Sequence, residues 1–379
     1  MKHRIFVAFC AYSLIVSLSS GCGPGDGRDG SEQAAESPSP EAADDSAPWP
    51  MAWLDDSYGD SALAWVRSEN RKTLDALASD QRFERYANEA AAVLTDPSRL
   101  PVARQIGDSM YNYWQSDEHP LGVWRRTPMS AWLSGEPAWT TVLDIDKLAE
   151  SESRKWIFAG ASCLESRCLV SLSDNGKDAH VVREFDLKTL DFVDTGFVVP
   201  EDKSSTWWVD ADRVLVTASA GGGAVNESRL PKSIRLWRRG TPLQEARVLF
   251  EGDDRDASIG AVLVGAGDSD GFVAVQRTDF FTQAYYFVSF DGAQAALPLP
   301  NRLTLKGILD DRLLLRLGRD WTPADQTTPF RAGDLVAIPL HELLSQQTVS
   351  TPELLYRPDR QESVRTVRAV GAAVYVELL

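Results

Sequence analysis

Gly267-Asp268-Ser269-Asp270-Gly271 has the Gly-x-Ser-x-Gly spacing that sets a serine nucleophile on a strained strand-to-helix turn. Such a serine attacks an acyl carbon only with a base in hydrogen-bond reach and donors for the oxyanion. The context here opposes that chemistry. Phe272-Val273-Ala274-Val275 reads as a strand where a helix should open, and Asp268 and Asp270 would disfavour a neighbouring alkoxide. The motif therefore reads as a hairpin loop. Outside the N-terminal segment the histidines are His119, His180 and His341. His119-Pro120 reads as a turn, His180 as a strand start, and His341 as part of a short helical stretch over 340–344. None adjoins a nucleophile-like sequence, so each reads as a surface or edge residue. No catalytic residue is assigned.

Other constellations fare no better as chemistry. Gly221-Gly222-Gly223 lacks the following helix and Lys-Ser/Thr that would hold a phosphate, and reads as a flexible loop. The pairs Asp55/Asp56, Asp253/Asp254 and Asp310/Asp311 supply two carboxyls each, as glycoside hydrolysis needs. Adjacent residues on a strand point to opposite faces, however, and on loops they are solvated. Cys163 and Cys168 lie at the facing ends of two strand-like runs, 156–162 and 169–172. A hairpin end brings two cysteines to disulfide distance, which is the favoured reading. Unbonded thiols come second and a metal site last, since no His or further Cys is near in sequence. No metal and no cofactor are expected.

The bulk composition narrows the partners. A net charge of -16 argues against nucleic acid, whose phosphates need a basic stripe. The 379 residues are 43% hydrophobic and 25% charged, enough for one large core or two modest ones. Twelve tryptophans suit wedges between packed sheets better than stacking platforms for sugars. Lys2, His3 and Arg4 followed by an apolar stretch from Ile5 to Leu18 read as a signal, residues 1–22, too short for a comfortable membrane span. It ends Leu18-Ser19-Ser20-Gly21-Cys22, which reads as a lipoprotein signal with Cys22 lipidated, although Ser19 stands where Leu is preferred and simple cleavage near Gly21 stays open. Either outcome places the mature chain outside the cytoplasm, in the cell envelope or periplasm when lipid-anchored and otherwise secreted, with the anchor as its only membrane contact. An oxidising compartment would also let a Cys163–Cys168 bond persist.

Residues 23–47 carry no large apolar side chain and read as a disordered linker. The segment 48–102 reads as helical. Asp60 or Ser61 caps a first helix bearing Leu63, Val66, Asn70, Leu74 and Leu77 at helical spacing. Asp80 caps a second with Phe83, Ala87, Ala90 and Leu94 on one face, and Asp96-Pro97 ends it. Helices of this length need a surface to dock on.

From 103 to 379 the chain reads as strands. Period-two alternation appears around Met110, over Val214 to Thr217, Phe272 to Gln276, Leu313 to Leu317 and Val374 to Leu378. Asn175-Gly176 and Asp291-Gly292 mark tight hairpin turns. Strand groups start near Met110, Trp156, Thr206, Ile259, Leu303 and Val364. Their spacing of about 45–60 residues is close to that of four-stranded blades. Val123-Trp124-Arg125-Arg126-Thr127 echoes Leu236-Trp237-Arg238-Arg239-Gly240, each ahead of a further strand. The fold class is mainly β: a β-propeller truncated at about six blades and preceded by two helices. An incomplete ring leaves an open edge.

Several separated motifs resemble one family. Trp53-Leu54-Asp55-Asp56, with Ala62-Leu63-Ala64-Trp65-Val66 and Glu69-Asn70, resembles the N-terminal signature of the prolyl oligopeptidase family, departing from it in Asp55 for Glu and Glu69 for Gln. Tyr111-Asn112-Tyr113-Trp114-Gln115 and His119-Pro120-Leu121-Gly122-Val123-Trp124-Arg125-Arg126 resemble its first blade. Asp279-Phe280-Phe281-Thr282 with Tyr285-Tyr286 resembles a middle blade of its bacterial members.

The resemblance implies a monomeric serine peptidase with a seven-bladed propeller that caps an α/β-hydrolase domain bearing Ser, Asp and His. The cap restricts substrates to short peptides, typically cleaved after proline. Here the hydrolase half is expected to be missing, so short peptides are partners only through it, and the chain alone is expected to be inactive. Trp207, Phe280 and Phe281 are candidates for lining the substrate cavity, weighed against simple packing between blades. The alternative reading is a free-standing envelope lipoprotein propeller that acts as a binding scaffold.

Overall fold

The structure, a computed structural model, describes residues 4–8, 49–56, 59–96, 101–264, 270–323, 326–346, 352–370 and 373–379. The chain divides into two compact units, Ser13–Arg99 and Leu100–Leu379, the latter joined by Met1–Tyr12. Cys22 and the linker 23–47 lie outside the described residues. Among the described residues no helix is long and apolar enough to cross a membrane.

The smaller unit is a short 3-10 turn, Ala52–Asp55, and two helices, α1 (Asp60–Ala78) and α2 (Gln81–Thr95). Asp80 caps α2 as expected, accepting the Arg82 amide at 2.9 Å. At α1 the cap position falls to Gly59, with no side-chain cap, and Asp60 sits inside the first turn, where its charge favours the helix dipole. Within this unit Trp53 packs edge-on to Trp65 at 6.2 Å, joining two pieces of the N-terminal signature. Leu74, Leu77, Phe83 and Leu94 on the two apolar faces remain exposed, and among the described residues of this unit Ala62 is the apolar side chain that is buried.

The larger unit is built from antiparallel sheets taken in chain order. Blade 1 is Ala103–Ile106, Ser109–Trp114, Val123–Pro128 and Thr140–Asp144. Blade 2 is Trp156–Leu164, Arg167–Asp174, His180–Asp186 and Val198–Asp202, with a two-residue strand Asp191–Phe192 also against the third. Blade 3 is Ser205–Asp210, Arg213–Thr217, Ser233–Arg238 and Arg247–Glu251. Blade 4 is Ser258–Leu263, Gly271–Arg277, Gln283–Ser289 and Gln294–Ala296, and blade 5 is Leu303–Leu309, Arg312–Leu317, Leu335–Pro339 and Glu353–Tyr356. Short helices follow the third strand of blade 1 (α3, Met129–Leu133), its fourth (α4, Ile145–Glu152) and the third strand of blade 5 (α5, Leu340–Gln346).

The propeller therefore has five blades rather than about six. The sixth strand group supplies only a hairpin, Val364–Val370 with Ala373–Leu378, so the outer two strands of a blade are not formed from it. Arg4–Ala8, within the stretch read as a signal, lies parallel to Ala373–Leu378 and covers that hairpin's edge. Blade 1 also begins one strand earlier than Met110, at Ala103–Ile106, whose Ala-Arg-Gln-Ile carries no clear alternation.

First strands lie innermost: those of blades 2 and 3, and of blades 3 and 4, contact each other, as does that of blade 5 with Val364–Val370. Each blade is an antiparallel ladder entered at its inner strand. The loop between second and third strands and the crossover to the next blade thus emerge at one end, here called the crossover end. The seams between blades hold the core. Trp124 and Trp156 are buried between blades 1 and 2, and Trp208 and Trp237 between blades 2 and 3. Each such ring removes roughly 150–250 Å² from water, worth about 4–6 kcal/mol before entropy. Trp124 and Trp237 are the two members of the sequence echo, and both sit on third strands.

Turn chemistry behaves as read. Asn175 and Gly176 have φ of 64° and 77°, the left-handed pair that Asn-Gly favours, and Gly292 has φ 107°.

Candidate functional site

The strands flanking the candidate nucleophile motif pair antiparallel, which is not the strand-to-helix setting of an elbow. Residues 265–269, with Ser269 among them, lie outside the described residues, but the flanking strands, Ser258–Leu263 and Gly271–Arg277, pair antiparallel from Leu263↔Phe272 onward. No helix follows. Among the described residues there is no parallel sheet alternating with helices of the kind that carries a Ser-His-Asp hydrolase site.

The three histidines fall in blades 1, 2 and 5 and do not converge. His341, at the start of α5, contacts the Asp311 carboxylate on the exposed surface. His180 opens the third strand of blade 2, with its Nε2 3.5 Å from the buried Ser204 hydroxyl. His119 lies in the loop between the second and third strands of blade 1. Its Nδ1 is 3.8 Å from Asp144 Oδ2 and 4.0 Å from Asp146 Oδ2. Nothing in the spacing of these three residues signalled their meeting, because the blade 1–2 crossover and the loop at His119 come together only through the ladder.

The glycine run is closed around a cation. Arg235, itself buried, donates to the carbonyls of Ala218 and Ala220 at 2.8 Å and of Gly221 at 3.2 Å. Burial lowers its pKa, partly offset by the Asp202 charge. A Cβ on Gly223 would stand 1.9 Å from Ala218 O. This loop is packed, not open for phosphate. Asp254 is taken by Lys232 at 2.8 Å and Asp253 accepts Gln276 at 3.2 Å, so that carboxylate pair is structural.

Cys163 and Cys168 face each other across the hairpin ending the first strand of blade 2, with Cα atoms 4.0 Å apart and the sulfurs bonded.

The aromatic candidates separate. Trp207, on the inner strand of blade 3, is half-buried against Leu215, Ile234 and Phe272. It also lines a cavity of about 380 Å³ with His180, Ser204, Ser205 and Thr206. Neither Phe280 nor Phe281 reaches that cavity. Both project from the tip of blade 4 at its crossover end, 95% and 75% exposed, so packing between blades is excluded for them. The reason is the turn beneath. Asp279 accepts the amides of Phe281 and Thr282 at 2.6 and 2.7 Å and the Thr282 hydroxyl at 2.6 Å, a closed Asx turn. These bonds, the hydroxyl first, hold the Asp279 pKa below its ordinary value. Arg302 sits 6.0 Å from the Phe281 ring centre.

Comparisons with known proteins agree with this architecture. The sequence profile described as "Prolyl oligopeptidase, N-terminal beta-propeller domain" matches residues 32–302. The protein named "Uncharacterized peptidase y4nA" from Sinorhizobium fredii is 34% identical over 336 residues, covering 86% of this chain and 46% of that protein. "Uncharacterized peptidase RP174" of Rickettsia prowazekii is 27% identical over 327 residues. Among solved structures, a post-proline cleaving enzyme from Rickettsia typhi superposes with a TM-score of 0.73 at 26% identity, over 84% of this chain and 48% of its own. The chain thus spans about half the length of the relatives it matches. With five blades following two signature-bearing helices in sequence, and matches along most of its length, this chain belongs to the prolyl oligopeptidase family, within that family's N-terminal β-propeller region.

Proposed function

We propose that this chain is the gating portion of a prolyl oligopeptidase-like serine peptidase. In the whole enzyme it would restrict a Ser-Asp-His centre, carried on a separate hydrolase half, to short peptides cleaved after proline. The observation that carries the proposal is the blade 4 tip. Two phenylalanines are presented to solvent on a rigid turn, where folding gains nothing from their exposure. An apolar contact of this kind suits a peptide side chain or proline ring entering between the two halves. On this reading the chain acts through its partner half.

Residues 1–22 would deliver the chain across the membrane, and lipid on Cys22 would hold it in the cell envelope. A bonded Cys163–Cys168 pair fits an oxidising compartment.

The test is reconstitution. The purified chain is assayed on a fluorogenic Gly-Pro peptide alone, and again when fused to the remaining half of the Rickettsia typhi enzyme. We expect no turnover alone, and in the fusion cleavage of short peptides with exclusion of folded proteins. Turnover by the chain alone that vanishes in Ser269→Ala would overturn the reading. A fusion that is folded but cleaves long and short substrates equally would leave a binding scaffold as the better description.

A further inference from the structure

Three ligand-type atoms converge at the crossover end of blade 1. His119 Nδ1 and one carboxylate oxygen each from Asp144 and Asp146 lie within 4.8 Å of one another. The two carboxylates come from the junction where the fourth strand of blade 1 passes into α4, and the imidazole from the loop beside it.

Each group is held from behind. Asp144 caps α4, its Oδ1 accepting the Lys147 amide at 3.1 Å. Asp146 Oδ1 accepts the Leu121 amide at 3.1 Å. His119 exchanges two backbone hydrogen bonds with Ser116, and its carbonyl accepts Gly122 N at 3.0 Å. Gly122 O in turn accepts Ile145 N at 3.0 Å, which ties the loop to the carboxylate junction. The second oxygen of each carboxylate is left facing the imidazole.

A separate observation points to a missing partner. Asp146 Oδ2 is enclosed and has no hydrogen-bond donor among the described residues. A buried carboxylate oxygen left bare costs free energy unless a cation or donor meets it. His119 Nδ1 is too far to donate, at 4.0 Å. Among the described residues the basic group that approaches is the Lys147 ammonium, 3.5 Å from Asp144 Oδ2 but itself 82% exposed. Two ligands each about 2.1 Å from one metal lie up to about 4.2 Å apart. A tetrahedral ion sets its ligands roughly 3.4 Å apart, so from 3.8 and 4.0 Å the carboxylates must close on the imidazole by roughly half an ångström, a small side-chain rotation.

We propose that His119, Asp144 and Asp146 bind a divalent transition-metal ion of the Zn²⁺ type. One imidazole with two carboxylates favours such an ion over Ca²⁺, which takes six or more oxygens. The ion would clamp the His119 loop to the crossover between blades 1 and 2. Its role is positional: Tyr113, the nearby hydroxyl among the described residues, is engaged, donating to Leu121 O.

The experiment is calorimetric titration of the EDTA-treated, dialysed 379-residue chain with Zn²⁺, with Ca²⁺ and Mg²⁺ as controls, followed by Co²⁺ absorption spectroscopy. We expect one Zn²⁺ per chain, visible Co²⁺ ligand-field bands, and a thermal midpoint that rises with Zn²⁺. His119→Gln and Asp146→Asn, each checked for native circular dichroism, should weaken Zn²⁺ binding at least ten-fold and abolish the bands. Zn²⁺ binding unchanged in both folded variants, no binding by the wild-type chain, or stronger binding of Ca²⁺ than Zn²⁺ would each overturn the assignment.

Discussion

Both terminal nitrogens of Arg239 donate to the carboxylate of Glu184, at 2.8 and 3.0 Å, across the seam between blades 2 and 3. The Glu184 side chain is wholly inaccessible. It also accepts the Phe197 amide at 2.9 Å, while the Phe197 ring lies 4.7 Å beneath the guanidinium. A fork-to-fork pair of this kind fixes the rotation of one blade against the next more tightly than apolar contact, which tolerates sliding.

Breaking that pair removes the bidentate partner of the inaccessible Glu184 carboxylate, leaving it Arg167 at 3.5 Å. Arg239→Ala and Glu184→Ala should each cost about 3–5 kcal/mol, and the double change less than their sum. Urea unfolding of the four proteins measures this. Single substitutions within about 0.5 kcal/mol of wild type would show that the seam is held by Phe197, Trp208 and Trp237 instead.

Gly223 makes a sharper demand on its neighbours. An alanine there must displace backbone at Ala218 O and open the carbonyl cradle around Arg235. Gly223→Ala should destabilise by about 2–4 kcal/mol, whereas Gly222→Ala, with open space about its Cβ position but φ of 79°, should cost only about 1. Equal midpoints for the two in thermal melts would contradict the packed-loop description.

These contrasts show which parts of the molecule are legible in sequence. Blades announce themselves through local rules: alternation in Leu313 to Leu317, the Asn175-Gly176 turn, the Trp124 and Trp237 echo on equivalent third strands. What is set by approach of distant segments leaves no local mark. Glu184 and Arg239 lie 55 residues apart and His119 25 from Asp144, and neither spacing follows a strand or helix period. The count of blades failed for a related reason. Val364 to Leu378 alternates as well as any true blade, and alternation reports a half-buried hairpin without saying whether outer strands follow. For Phe280 and Phe281 residue type left cavity lining and blade packing both open, since large apolar residues usually serve a core, and the turn that exposes them leaves no periodic mark.

The turn that carries those phenylalanines should respond to acid. Hydrogen bonds from the Thr282 hydroxyl and from the Phe281 and Thr282 amides hold Asp279 below its ordinary value of 3.8. A carboxylate depressed in the folded state contributes stability that is present above its unfolded pKa and lost as pH falls through the folded one. The tip should therefore be ordered at neutral pH and loosen only below about pH 4. Phe280 and Phe281 amide shifts followed by NMR from pH 6 to pH 2 test this, with Asp279→Asn as the reference. A transition centred above the ordinary aspartate value would reverse the sign and refute it.

If the tip meets substrate, its side chains should matter to catalysis and not to folding. Phe280 and Phe281 bury little surface, so Phe280→Ala and Phe281→Ala should leave unfolding free energy within about 0.5 kcal/mol of wild type. The weak Arg302 contact to Phe281, about 0.5 kcal/mol at an exposed site, does not change that expectation. In the reconstituted peptidase, each truncation removes apolar contact to an entering peptide and should lower kcat/KM roughly ten-fold, mostly through KM. Trp207→Phe, which keeps the ring but shortens it within a packed wall, should show the opposite balance, with stability falling and KM little changed. If Phe280→Ala and Phe281→Ala leave kcat/KM untouched while the fusion remains active, the two rings do not face the substrate path, and the blade 4 tip has another occupant.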